Sequence, residues 1–241
     1  MHGQQEFLHA WRERGYFVIP GWLAPSERLG LAAACDHALL RARAESSVTG
    51  HLTTHLPNVL VPDYFRERPE ALANVIEFVR SPAVLGLVRD LGRPLEGELE
   101  LRSVQYFHEP STRDYDGPWH RDGDEATPIA PAPDSRRPTL LRFRVALAPD
   151  DHLEYVPGSH LRPDSEEELR VRRGAMRNGP LPSGAERIAL EAGDLCVFDT
   201  WGIHRGRYRH SRVRRTIDLL FGFGPRAVNY EFWKTLRSLR P

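Results

Sequence analysis

Lysine is nearly missing from this chain. Lys234 is the only one, and every other member of its 33 basic residues is arginine. That bias reflects base composition of the gene more than function, so one arginine says little by its type alone. Net charge is missing too: 33 acidic residues balance the 33 basic ones, which removes any global pull toward nucleic acid or a membrane surface. Cysteine is limited to Cys35 and Cys196, far apart and in no CxxC pattern. That excludes a disulfide framework and fits a reduced, cytoplasmic setting. No apolar run is expected to reach the roughly 20 residues of a membrane span. The start, MHGQQEFLHAW, has no basic segment followed by an apolar one, so no secretory signal is expected. What remains, 40% hydrophobic and 27% charged residues, is the composition of a soluble globular protein.

The first third reads as helical. Gln4 to Arg14 is amphipathic and stops at Gly15; Ser26 caps a run through LGLAAACDHALLRARA; Glu70 to Val79 and the stretch after Ser81-Pro82 follow. The character changes near Leu95. ELELRSVQYFHE, LLRFRVAL, LEYVPGSH, RIALEAGDLCVFD and VRRTIDLLFGF are short strands divided by Gly, Pro and Asp turns, a rhythm that predicts a sandwich or barrel. In LLRFRVAL, Leu141, Phe143, Val145 and Leu147 share one face, and Arg142, Arg144 and Ala146 the other. Two readings stand for the arginines: an outer, solvated face, or an inward one holding a carboxylate or phosphate by bidentate bonds. Ser46 to Pro62 reads as a loop, and the charged, Gly/Pro-rich stretch from Pro163 to Ala185 as a mobile excursion. Each is a lid candidate or simply disordered. VNYEFWKTLRSLR reads as a closing helix.

Chemistry concentrates at a few positions. His120 and Asp122 in WHRDGD are two apart, so on a strand they share a face while Arg121 points away. Alone, the motif is a weak metal signal and reads more readily as a turn in which Asp122 accepts backbone hydrogen bonds. It gains meaning from His204, in FDTWGIHRG, and from Arg214 and Arg215, ten and eleven residues beyond. Two histidines and a carboxylate form the ligand set of non-haem iron(II) oxygenases, which keep other coordination positions open. An arginine at the start of the following apolar strand offers a fork for a dicarboxylate co-substrate. Gln105 and Phe107 share a strand face toward the expected pocket. Trp119 and Trp201 flank the ligands as packing residues, with Trp201 also a substrate contact. His51 and His55 read first as surface or structural histidines, with a pocket-facing position from their loop as the alternative.

GYFVIPGWLAPSE, QYFHEP, WHRDGD, VPGSH, and GDLCVFDTWGIHRG followed by RVRRT occur in an order and spacing that resemble the phytanoyl-CoA dioxygenase family, over roughly Gln5 to Gly224. The resemblance implies a mainly β fold with flanking α-helices, a double-stranded β-helix of the jelly-roll or cupin-like kind. Residues 1–94 would be helical support, 95–224 the core and 225–241 a closing helix of one oxygenase domain. It also implies iron(II), 2-oxoglutarate and O2. By position, His120, Asp122 and His204 are the implied metal ligands and catalytic centre. Arg214 is the implied partner of the distal carboxylate of 2-oxoglutarate, with Arg215 the fallback. Arg144 stands where the family commonly has a tryptophan near the co-substrate. Arg144 and Gln105 therefore join the cofactor-binding candidates, and Arg142, Phe107, Trp201 and His51 the substrate-binding ones. ALAPDDHLEYVPGSH lacks the family's common Asn-Gly, which alters the rim and not the metal.

The expected activity is hydroxylation of an unactivated C–H bond of a small molecule, an anionic or natural-product compound, with release of succinate and CO2. Desaturation is the variant outcome. Halogenation is not expected, because Asp122 occupies the position that must be vacant for chloride. The competing readings are a cupin-like isomerase or dioxygenase that uses no 2-oxoglutarate, and a non-catalytic ligand-binding member. Nucleic-acid and membrane partners are not expected, and oligomeric state is not legible.

Overall fold

The computed structural model describes residues 2–45, 54–92, 99–122, 140–174, 177–180 and 184–223. His51 and the closing helix expected over 225–241 lie outside them. Five helices are described: α1 (His2–Arg14), α2 (Pro25–Glu45), α3 (Pro69–Val79), α4 (Pro82–Gly92) and α5 (Glu166–Arg173). The ten strands are β1 (Tyr16–Ile19), β2 (His55–Leu56), β3 (Leu99–His108), β4 (Tyr115–Asp116), β5 (Leu140–Ala146), β6 (Asp150–Tyr155), β7 (Glu186–Leu190), β8 (Leu195–Asp199), β9 (His204–Tyr208) and β10 (Arg215–Phe223). They form two antiparallel sheets, ordered β1-β8-β5-β10-β3-β2 and β4-β9-β6-β7. Non-consecutive strands lie side by side throughout, as the expected jelly roll requires.

The helices cover the outer face of the six-stranded sheet. Leu141, Phe143 and Val145 of β5 pack there with Val104 and Tyr106 of β3, Ile217, Leu219 and Phe221 of β10, and Leu31, Ala38, Val75 and Val84 of the helices. Each large apolar side chain removed from water here contributes about 1.5–3 kcal/mol. A smaller apolar cluster fills one end of the space between the sheets: Ala146, Leu153, Tyr155, Ile188, Leu190, Cys196 and Phe198. The other end of that space is polar and holds the site.

Two expectations need correction. Pro69–Leu91 is long and apolar enough to cross a membrane, against the expectation that no run would be. It is broken at Arg80–Ser81 into α3 and α4, where the Ser81 hydroxyl accepts from Val84 N–H at 3.3 Å, and Leu72, Val75, Val79, Val84 and Leu91 lie in the core. The stretch from Pro163, read as an irregular excursion, contains α5. Its start is a reciprocal capping box: Ser165 accepts from Glu168 N–H and the Glu168 carboxylate accepts from Ser165 N–H. Three glutamates in its first turn and three arginines in its last suit the helix dipole. Charge that reads as a solvated loop is here a helix signal. The loop expected over Ser46–Pro62 includes the short strand β2, paired with β3.

Candidate active site

His120 and His204 face each other across an isolated antiparallel bridge, with each backbone N–H donating to the other's carbonyl at 3.0 Å. Asp122 follows in a turn, tied by its N–H to Thr200 O at 2.9 Å. One ligand atom from each of His120, Asp122 and His204 lies within 4.8 Å of the other two. Nε2 of His120 is 3.4 Å and Nε2 of His204 is 3.8 Å from Asp122 Oδ1.

The tautomers are set from behind. His120 Nδ1 donates to Pro118 O at 2.8 Å and His204 Nδ1 donates to Gly202 O at 2.9 Å. Both Nε2 lone pairs therefore point at the shared space, the arrangement that fixes metal-bound imidazoles. Gly202 leaves no alternative there, since a Cβ would lie 1.8 Å from the Tyr155 hydroxyl. Burial, and then the neighbouring His120, push the His204 imidazole down to about 3, so it is neutral at ordinary pH. Burial works to raise the Asp122 carboxyl, but the Arg142 guanidinium outweighs it and holds the group well below the carboxylate range. Arg142 Nη2 donates to Asp122 Oδ2 at 3.0 Å. One carboxylate oxygen is thereby engaged from behind, and the other faces the histidines. Two imidazoles and an anion at this spacing fit a divalent cation about 2.1 Å from each.

Arg142 and Arg144 both face inward, between the sheets. Arg142 Nη1 also bonds Gln105 Oε1 at 3.3 Å. Arg144 grips Asp218, across β10, through Nε at 3.1 Å and Nη2 at 2.7 Å. Burial opposes its charge, yet Asp218 more than compensates and pushes its pKa up.

Arg214 and Arg215 part ways. Arg215 reaches α2 and the β3 end, bonding Asp36 at 2.8 Å and also pairing with Glu109. Arg214 is 0% exposed and buried under the sheet. Its Nε bonds Asp150 Oδ1 at 3.2 Å, and that same oxygen accepts from His152 Nδ1 at 2.7 Å. Nη1 and Nη2 of Arg214 are buried with no partner among the described residues. A buried guanidinium with its terminal fork unsatisfied is costly, and a carboxylate there would satisfy both donors at once. The Phe107 ring, on which His55 stacks at 5.2 Å, lies among all three inward arginines, with their guanidinium carbons 4.9 to 5.9 Å from its centroid. Trp201 packs its ring against Arg121 at 5.8 Å.

Asp150 and Asp218 were not singled out from the sequence, although each gives a signal. A lone aspartate in the apolar run TIDLLF calls for a buried cation. Asp150 opens β6, in the segment that lacks the Asn-Gly common in the resembled family.

The profile of the phytanoyl-CoA dioxygenase family matches residues 11–217. The chain belongs to that family. Iron(II) and 2-oxoglutarate are the metal and co-substrate of phytanoyl-CoA dioxygenase family members. Comparison with curated protein sequences gives no match. Among solved structures, AviO1 from Streptomyces viridochromogenes Tue57 is 20% identical, with 93% of this chain and 96% of that one covered at a TM-score of 0.65. The epimerase SnoN, in complex with Fe3+, alpha ketoglutarate and nogalamycin RO, is 19% identical, with coverage of 95% and 89% and a TM-score of 0.63. EctD from S. alaskensis with bound Fe is 18% identical, with coverage of 90% and 75% and a TM-score of 0.64. At these identities the likeness establishes the jelly-roll fold.

Proposed function

We propose that this phytanoyl-CoA dioxygenase family member is an iron(II)- and 2-oxoglutarate-dependent oxygenase. In this reading it hydroxylates an unactivated C–H bond of a small molecule and releases succinate and CO2. His120, Asp122 and His204 hold the iron. Bound iron and 2-oxoglutarate supply the oxidising chemistry that no side chain can perform. The chain's part is to bind, orient and exclude. The Nδ1–H bonds to Pro118 and Gly202 keep both imidazoles aimed, and Arg142 holds Asp122 to one inward oxygen. Asp150 takes the Nε edge of Arg214, which turns the terminal fork toward the distal carboxylate of 2-oxoglutarate. The observation that carries the reading is the pairing of an aimed His-Asp-His set with that unsatisfied buried fork.

The charge balance also bears on substrate. Arg142, Arg144 and Arg214 are matched by Asp122, Asp218 and Asp150, and the family's metal and dicarboxylate cancel each other. Among the described residues, each of these three inward guanidinium groups already faces a carboxylate, which weighs against the anionic substrate expected for inward arginines. A neutral compound meeting Gln105, Phe107 and the neutral His55 is the better fit; burial, then Arg142, lowers the pKa of that histidine. Both cysteines are free and buried, in keeping with a reducing cytoplasm.

The test is succinate formation from 2-oxoglutarate in the presence of iron(II) and O2, over a panel of neutral and acidic small molecules. Substrate-stimulated succinate, lost in His204→Ala, supports the reading. Turnover without succinate would transfer the chain to the cupin-like metalloenzymes that use no keto acid. Product analysis separates hydroxylation from the epimerisation and ring closure named for SnoN and the carbocyclase SnoK.

A further inference from the structure

Every candidate metal ligand has a neighbour in sequence that anchors in the described residues 163–174, which bear α5, or 177–180. Arg121 sits between His120 and Asp122 and is buried on the face away from them. Its Nε and Nη2 bond Asp164 Oδ1 at 2.9 and 2.6 Å, and Nη1 bonds Ser159 O at 2.8 Å and also Trp201 O. The second oxygen of Asp164 is held by Arg172 of α5. Trp119 precedes His120. Its backbone N–H donates to Arg177 O at 2.9 Å and its indole N–H to Gly179 O at 2.9 Å. Arg205 follows His204. It donates to Asn178 O at 2.8 Å and Gly179 O at 3.0 Å, and its guanidinium lies 4.4 Å over the Trp119 ring.

We propose that residues 163–174 and 177–180 clamp the metal centre, with Arg121, Asp164, Trp119 and Arg205 as positioning residues. This rests on the reading of His120, Asp122 and His204 as ligands. Trp119 and Arg121 flank the bridge residue His120 and precede the turn at Asp122, so fixing them from outside fixes the backbone that aims both ligands inside. Asp164 is the acid bonded to a buried cation set between two ligands. Without that carboxylate, Arg121 is left as an uncompensated buried charge, and movement of its backbone to relieve it swings both ligands out of line. The linkage is reciprocal: order in the clamp tightens the metal, and the metal orders the clamp. The excursion that the composition suggests as a lid is on this view part of the ligand scaffold.

Two readouts on the full chain test the proposal. One is Mn(II) affinity, from the electron paramagnetic resonance signal of free Mn(II). The other is the rate of tryptic cutting at Arg170, Arg172, Arg173 and Arg177. Asp164→Asn and Trp119→Phe should weaken Mn(II) binding about 10-fold, the low end of the effect of losing a ligand's own hydrogen-bond partner, because both act on the ligands through the backbone. Val84→Ala, in the helical layer, should lower the urea midpoint and leave Mn(II) affinity within twofold of wild type. In the wild-type protein Mn(II) should slow cutting in the clamp. If Asp164→Asn fails to fold, Trp119→Phe decides, because it keeps a ring and removes the indole N–H. Mn(II) affinity unchanged in Trp119→Phe, or cutting indifferent to Mn(II), overturns the clamp. Wild-type affinity in His204→Ala overturns the ligand assignment instead.

Discussion

On β5, Leu141, Phe143 and Val145 turn toward the helices, while Arg142 and Arg144 turn into the space between the sheets. The same alternation runs along β10, where Ile217 and Leu219 face the helical layer and Thr216 and Asp218 face inward. Stability and chemistry are thus separated by one residue along a strand. The outer face is apolar because helices exclude water from it. The inner face tolerates charge because each guanidinium meets a carboxylate across or between strands. A register slip of one residue would exchange the two faces, so the fold and the site are specified by the same pairing.

The comparison predicts different losses from the two faces. The largest is expected inside: His204→Ala should reduce substrate-stimulated succinate formation at least about 1000-fold, more than 4 kcal/mol in transition-state terms, while its urea midpoint stays near that of wild type. Arg214→Gln follows, raising the KM for 2-oxoglutarate about 100-fold, with a smaller change for 2-oxobutyrate, which lacks the distal carboxylate. An equal loss for both keto acids would show that the fork does not read that group. On the outer face, Phe143→Ala should cost about 3–5 kcal/mol of stability and leave Mn(II) affinity unchanged. A weakened metal site in that variant would break the division between faces. Arg144→Leu leaves buried Asp218 with only Arg142 Nη1 at 3.6 Å and the Thr216 hydroxyl at 3.2 Å, which should cost up to about 3–5 kcal/mol, whereas Arg144→Leu with Asp218→Leu should recover most of it. Failure of the double variant to recover would mean that the pair does more than neutralise itself.

Acid gives a smaller, graded effect. His204 has its folded pKa at about 3, against an unfolded value near 6.5. As pH falls below about 6.5 the unfolded chain takes up a proton that the native site refuses, so stability declines from there toward pH 3. Burial lowers His55 and His108 in the same direction. Asp122 and Asp150, held low by Arg142 and Arg214 against the effect of burial, extend the loss below about pH 4. The urea midpoint of the metal-free protein should therefore rise between pH 4.5 and 7; a flat profile would contradict neutral burial of these imidazoles. The smallest effect is expected at the surface, where the half-exposed pair Arg14–Glu186 should contribute no more than about 1 kcal/mol.

Much of this was legible because it is periodic. His120 and Asp122 share a face by their spacing, and the same rule sends Arg121 to the other side, where it is found. Periodicity groups Arg142 with Arg144 but does not say which face is inside; that depends on what covers the sheet, and the helices settle it. Nor does it choose between Arg214 and Arg215. They are adjacent, so their parity hangs on where β10 begins, and the structure aims one inward and pairs the other with Asp36 and Glu109. The helix α5 was obscured by its charge, although Ser165 and Glu168 spell a capping box. Asp150 and Asp218 are readable only once their arginines are known to be buried.

The assignment is tested most directly by adding iron(II) to the metal-free protein under anaerobic conditions, then 2-oxoglutarate, and following visible absorption. A charge-transfer band that needs both additions, vanishes in His204→Ala and shifts its half-saturation to higher 2-oxoglutarate in Arg214→Gln is the predicted result. No band in the wild-type protein with both present, or one that survives intact in His204→Ala, would contradict it.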